Sequence, residues 1–241
     1  MQNTETFISH LIELRNRLLR IVLGFAVIFI ALFPFANRLY NLLAKPLLAS
    51  LPVGGHMIAT GVTTPFFVPM KVAMLTAFMI SLPFTLYQVW AFIAPGLYAH
   101  EKKWIAPLVV ASTALFGIGM AFAYFVVFPV VFGFLANTAP EGVAVMTDIG
   151  SYLDFIISLF MAFGLAFEVP IAVIVVVKFG LVSLQQLRDA RGYVVVGAFV
   201  IGAIFTPPDI ISQFMLAMPL WILYEVGIIA ASFLGVKKVN V

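Results

Sequence analysis

Apolar residues in this chain fall in long unbroken runs, neither alternating as in a half-buried strand nor confined to the narrow stripe of a surface helix. Charge-free windows cover 21–37, 72–99, 104–140, 155–177 apart from Glu168, 192–208, and 210–236 apart from Glu225. Crossing roughly 30 Å of hydrocarbon at ~1.5 Å per helical residue takes about 20 mostly apolar residues. Lipid offers backbone N–H and C=O groups no partners, so spans must be helices or a closed barrel, and these runs lack the alternation of barrel strands. The pattern predicts an all-α integral membrane protein with six transmembrane helices in one transmembrane domain over residues 1–241. The predicted spans are about 18–36, 70–93, 104–128, 152–178, 192–206 and 210–234, with helices five and six short. Pro83, Pro107, Gly117, Gly119, Gly164, Pro170 and Pro219 fall inside these helices and predict bends.

Two windows do not fit a single ordinary span. The third is too long, so its helix is expected to end near Phe128 and Pro129, leaving residues 130–150 as a loop. The fifth leaves about 15 residues between Gly192 and the Pro207-Pro208 pair, roughly 22 Å of helix, which is less than the hydrocarbon thickness and should thin the bilayer locally.

Composition supports the reading: 63% of residues are apolar, 10% are charged, and the mean hydropathy is +1.15. A soluble domain carries about 25% charged residues. The net charge of +3 says less than its placement. Arg15, Arg17 and Arg20 precede the first span, Lys102 and Lys103 follow the second, Lys178, Arg188 and Arg191 separate the fourth and fifth, and Lys237 and Lys238 follow the sixth. The alternate loops carry only Arg38 and Lys45, so the positive-inside rule puts both termini in the cytoplasm. The basic N-terminal stretch ahead of residues 21–36 has a secretory-signal flavour, but no small-x-small cleavage pattern follows promptly, and it is read as a retained first span.

Enzyme chemistry has little to work with. Cysteine is absent, which removes disulfides and thiol catalysis. His10, His56 and His100 all lie outside the spans, so no intramembrane Ser/His pair or zinc-binding helix forms, and no phosphate-binding Gly-rich loop is present. No enzyme activity, metal, cofactor or nucleic-acid partner is expected. Lys71, Glu168 and Glu225 are the ionisable residues inside spans, where a charge costs at least ~2.5–3.5 kcal/mol unless hydrated or paired. Glu168 is the deepest: either it packs helices together in protonated or hydrogen-bonded form, or it lines a polar cavity used in transport. Asp154 lies 14 positions earlier, an offset of about 40° at ~100° per residue, so both carboxylates are expected to face one hydrated side, with Gln88 and Tyr87 as potential partners. Glu168 and the bent helices suggest, as an alternative function, a proton-coupled small-solute transporter.

Two cytoplasmic stretches add to this. Residues Ser9 to Arg20 place Leu11, Leu14 and Leu18 on one stripe and Glu13 and Arg17 at i,i+4, as in an interfacial helix with a solvated ion pair. Residues Phe92 to Lys103 contain a Pro95-Gly96 turn with charged flanks.

Read together, these stretches resemble the TatC family, the signal-peptide receptor of the twin-arginine protein translocase. The N-terminal signature is His10-Leu11-Ile12-Glu13-Leu14-Arg15, and the first-loop signature runs from Tyr87 to Tyr98 with His100-Glu101. Residues 119–125, Phe160 to Gly164, Phe167 to Pro170, and Thr206-Pro207-Pro208-Asp209 resemble further family landmarks; Gly96 replaces an expected alanine, and the tail after Gly235 is short. The resemblance implies a protein of the bacterial cytoplasmic (inner) membrane, cupped toward the lipid, that binds Arg-Arg signal peptides. It works in a multi-copy complex with the single-span subunits TatA and TatB to export folded proteins using the proton motive force. It implies that Glu13 and Glu101 meet the paired arginines, with Leu14, Arg15, Phe92 and Leu97 beside them. It places Glu168 and Gln88 as intramembrane polar positions and Thr206, Asp209 and Gln213 near partner-subunit docking.

Overall fold

The structure is a computed structural model that describes residues 2–50, 57–93, 105–137, 146–205 and 210–233. Helix α1 covers Gln2–Leu32 and passes through a single 3-10 turn, Phe33–Phe35, into α2, Ala36–Ser50. Pro34 accounts for the interruption, because it has no N–H to continue the helical ladder. Then follow α3 (Thr64–Ile93), α4 (Ile105–Phe122), α5 (Phe128–Asn137), α6 (Ile149–Phe167), α7 (Val169–Lys178), α8 (Leu184–Asp189), α9 (Arg191–Phe205) and α10 (Ile210–Phe233). Five continuous helical stretches among the described residues are long and apolar enough to cross a membrane: 8–45, 64–93, 105–134, 149–178 and 213–233. A shorter apolar helix, Arg191–Ile204, lies between the last two. The protein is an all-helical, multi-pass membrane protein.

Three expectations need correction. Phe128 and Pro129 do not end the third helix. A π-helical turn over Ala123–Val127, in which the Phe128 N–H reaches back to the Ala123 carbonyl, leads directly into α5. Widening the helix just before Pro129 gives its ring room and accommodates the missing donor, so residues 130–137 are helix rather than loop. The stretch carrying Arg38 and Lys45, expected to be a loop, is likewise helical, since α2 occupies it. The sixth helix is not short: α10 has 24 residues, about 36 Å, because Pro219 is absorbed within the helix instead of stopping it. The fifth is as short as expected, at 15 residues.

The chain divides into two compact units. The first comprises residues 1–45 and 59–113. Here α1 packs along α3, which buries Val68, Val72, Ala73, Leu75, Ala77, Leu82 and Ala91. Leu11, Leu14, Leu18, Leu19, Val22, Leu23, Val27 and Ile30 remain uncovered on α1, a face that water would penalise and hydrocarbon accepts. Ser112 is completely buried, and its hydroxyl oxygen accepts a hydrogen bond from Trp90 Nε1 at 3.1 Å, tying α3 to the first half of α4. Pro69 and Pro83 both lie within α3. Near the second, Ser81 turns its hydroxyl back onto the Phe78 carbonyl at 3.0 Å, keeping a polar group satisfied in an apolar helix.

The second unit comprises residues 46–58 and 114–241. Ile58 exchanges backbone hydrogen bonds with Thr147 and Ile149, at 3.0 and 2.9 Å, which fixes the entrance to α6. Asp148 caps that helix by accepting from the N–H groups of Gly150 and Ser151. Glycines let α4 and α6 approach closely: a side chain at Gly119 would lie 2.5 Å from the Phe163 carbonyl oxygen, and one at Gly164 would strike the Phe116 ring. An aromatic cluster of Phe122, Tyr124, Phe128, Phe132, Phe160 and Phe163 extends from that crossing. Helix α10 packs on α7, α8 and α9 around Val173, Val177, Tyr224, Ile228 and Ala231. A reciprocal Ser183/Gln186 capping box starts α8, and the Tyr224 hydroxyl donates to the Leu187 carbonyl at 2.7 Å.

Candidate functional site

The N-terminal signature and the end of α3, which leads into the first-loop signature, meet in the first unit. His10 of α1 stacks on Phe92 near the end of α3, with ring centroids 4.3 Å apart and planes 17° from parallel. Two turns further along α1, Arg17 makes three bonds. Its Nε and Nη2 both donate to Glu13 Oε1, at 2.9 and 2.6 Å, and its Nη1 donates to Gln88 Oε1 at 3.2 Å. The i,i+4 spacing puts Glu13 and Arg17 on one helical face, and the packing of α1 on α3 brings in Gln88.

Burial grades along this chain of groups. Gln88 is 4% exposed, the Arg17 side chain 18%, and the Glu13 side chain 38%. Only the carboxylate end is open. It borders a surface concavity of about 350 Å³ lined by Ser9, Ile12, Glu13, Asn16, Arg17 and Arg20. Partial shielding strengthens such a charge-assisted pair beyond a fully solvated one. The expectation of a solvated i,i+4 pair therefore needs amending, because the guanidinium is tethered to a buried amide on another helix.

Among the other predicted positions in this unit, Leu14 and Arg15 are exposed on α1, and Arg15 Nη2 donates to its neighbour Asn16 at 3.3 Å. Phe92 is half-buried beneath His10. Leu97 and Glu101 lie outside the described residues.

In the second unit, Glu168 occupies the joint between α6 and α7, serving as the C-cap of one and the N-cap of the other. Pro170 causes this joint: without an N–H it cannot continue the α6 ladder, whereas near the start of a new helix no donor is needed. Glu168 Oε1 is shielded from solvent, while Asp154 is exposed, so the expectation of one shared hydrated environment is not met. Gln88, expected as a potential partner for Glu168, accepts a hydrogen bond from Arg17.

On α10, Gln213 Nε2 donates to the Phe199 carbonyl of α9 at 3.0 Å. Thr206 and Asp209 lie outside the described residues. Glu225, expected to be able to snorkel, is engaged by Arg191 Nη2 at 2.7 Å. No cluster of metal-binding side chains occurs among the described residues.

The arrangement at Glu13 gathers its groups on one stretch of α1 and the end of α3. It offers a half-exposed carboxylate, an aromatic stack and an apolar helix face, which suit recognition of a cationic, partly apolar peptide. The family model for Sec-independent protein translocase protein (TatC) matches residues 9–219. The chain belongs to the TatC family. It is 54% identical over 233 residues to the Sec-independent protein translocase protein TatC of Escherichia coli K12, covering 97% of this chain and 90% of that one. The Haemophilus influenzae TatC is 51% identical over 233 residues, with 97% and 91% covered. A crystal structure described as the twin arginine translocase receptor TatC superimposes with a TM-score of 0.80 at 38% identity, covering 93% of this chain and 98% of that chain. A second, of the same receptor in DDM, gives 0.82 at 38% identity over 92% of this chain and 99% of that one. The protein is thus a subunit of a translocase and not an enzyme.

Proposed function

We propose that this protein is the cargo-receiving core of the twin-arginine translocase, binding Arg-Arg signal peptides at the cytoplasmic surface of a bacterial inner membrane. In this reading both termini are cytoplasmic, all six apolar helices cross the bilayer, and single-span TatA and TatB subunits dock beside α9 and α10. Folded cargo then crosses at the expense of the proton motive force. One observation carries the proposal: Glu13, at the centre of the N-terminal signature, presents a carboxylate to an open concavity beside the His10–Phe92 stack. The planar guanidinium fork matches a carboxylate through two parallel hydrogen bonds, which a lysine ammonium cannot reproduce. Glu101 supplies the second carboxylate, with Leu14, Arg15, Phe92 and Leu97 around the pair. Family membership argues against the small-solute transporter as the reading of Glu168. A deep carboxylate at a helix joint instead suits local hydration or thinning of the bilayer beside the signal's apolar segment.

The test is crosslinking of an Arg-Arg signal peptide to membranes containing the parent protein or the Glu13→Ala, Glu101→Ala double variant. The variant should lose most of the crosslink, as should a Lys-Lys peptide with the parent. Undiminished crosslinking of the double variant would remove Glu13 and Glu101 from the site.

A further inference from the structure

Glu13 is already occupied. Both of its bonds from Arg17 fall on Oε1, so an incoming guanidinium that would use the two carboxylate oxygens as a matched fork must compete with Arg17 for that oxygen. Arg17 has somewhere to go, because its third donor already rests on the buried Oε1 of Gln88. An arginine withdrawing from Glu13 therefore keeps a polar partner and is not stranded in the membrane interface, which would otherwise make release costly.

We propose that Arg17 is an internal competitor for the signal-peptide site, a guanidinium of the chain itself that holds Glu13 closed until a cargo arginine displaces it onto Gln88. The proposal rests on the reading of Glu13 as a signal-peptide contact and adds a residue that sets the affinity threshold of that contact. Competition has a definite thermodynamic signature. An internal occupant weakens every external ligand by the same factor, so its removal tightens binding of any cationic peptide without changing the ratio between two of them. Arg17 would thus keep weakly basic segments off the site, while the choice of arginine over lysine comes from the fit of the fork itself.

The experiment measures equilibrium binding of a fluorescent Arg-Arg signal peptide, and of its Lys-Lys counterpart, to membrane vesicles carrying the full-length protein. Arg17→Gln should tighten both peptides by about fivefold, the factor for an internal ion pair worth about 1 kcal/mol, and leave their affinity ratio unchanged. Arg20→Gln provides the charge control. Arg20 lines the same concavity but makes no bond to Glu13, so its loss should tighten binding by clearly less. If Arg17→Gln does not accumulate in membranes, Gln88→Glu carries the test: a carboxylate there draws Arg17 away from Glu13, tightening the peptide while Arg17 remains. Unchanged or weaker binding in both variants overturns the proposal, as does an equal gain from Arg20→Gln. Those results are distinct from failure of the underlying site, which would show as a Glu13→Ala protein that binds the peptide as well as the parent.

Discussion

Gly119→Ala and Gly117→Ala place the same methyl group on the same helix two residues apart, and the structure requires opposite outcomes. A Cβ at Gly119 would lie 2.5 Å from the Phe163 carbonyl oxygen and 3.0 Å from its carbon, whereas a Cβ at Gly117 meets nothing within 4 Å. Comfortable contact between carbon atoms begins near about 3.5 Å. Helix α4 would therefore have to withdraw by up to about 1 Å. Its obstacle is helical backbone, which has no rotamer to change, and Phe163 itself is buried to 1% exposure. Overpacking of this kind costs about 1–3 kcal/mol, and the rigidity of both partners places it in the upper half of that range. Against it stands the gain of about 1 kcal/mol for alanine over glycine in a helix, which both variants share along with the same change in the unfolded chain. Subtraction leaves Gly119→Ala less stable than Gly117→Ala by about 2–3 kcal/mol, a difference in which membrane-mimetic and unfolded-state effects largely cancel. Reversible unfolding of both proteins by SDS titration in mixed micelles, followed by circular dichroism, measures it. A difference below about 0.5 kcal/mol, or one of opposite sign, would mean that α4 and α6 do not make the backbone contact described.

Three further outcomes follow from the polar contacts and helix lengths. Trp90→Phe strands the buried Ser112 hydroxyl and should cost about 1–3 kcal/mol, and adding Ser112→Ala should restore most of the loss, read in the same titration. The Arg191–Glu225 pair, with the arginine side chain 47% exposed, should show a coupling of no more than about 1 kcal/mol in a double-mutant cycle that shrinks in high salt. Because α9 reaches only about 22 Å, an unperturbed bilayer would shield both of its ends, whereas a bilayer thinned to match it leaves single cysteines at Gly192 and Ile204 open to a water-soluble maleimide; shielding of both would contradict the local thinning.

Helix existence was legible in the sequence because lipid leaves apolar runs few alternatives: each of the six charge-free windows contains a described apolar helix. Helix ends were less legible, for reasons visible at particular prolines. Pro34 interrupts a helix that resumes at once, Pro129 follows a π turn, Pro219 sits within α10, and Pro170 does break its helix, at Glu168. Proline removes the same donor in every case, and whether the helix survives depends on turns and neighbours that a local pattern does not encode. Helix α8 did carry a readable signal, Ser183 three residues before Gln186, the spacing of a capping box. At the candidate site, Glu13 and Arg17 were legible as an i,i+4 pair. The partnership with Gln88, 71 residues away, was not, because it depends on how α1 lies against α3.

Polar side chains in an apolar bundle divide by where their hydrogens go. Thr76, Ser81, Thr113, Ser158 and Ser232 turn back onto carbonyls of their own helices, and Gln213 and Tyr224 onto carbonyls of adjacent ones. Backbone carbonyls are fixed by the fold, so these bonds can stabilise but have no second state to exchange into. Side-chain partners can exchange. Within the described residues, Trp90–Ser112 is neutral and buried, and Arg191–Glu225 is a simple pair. Arg17 divides its donors between an open carboxylate and a buried amide. A two-partner cation can shift its weight from one acceptor to the other at little net loss, provided something else satisfies the acceptor it leaves. That condition is what the proposed arginine-bearing ligand would supply at the Glu13 end of this network.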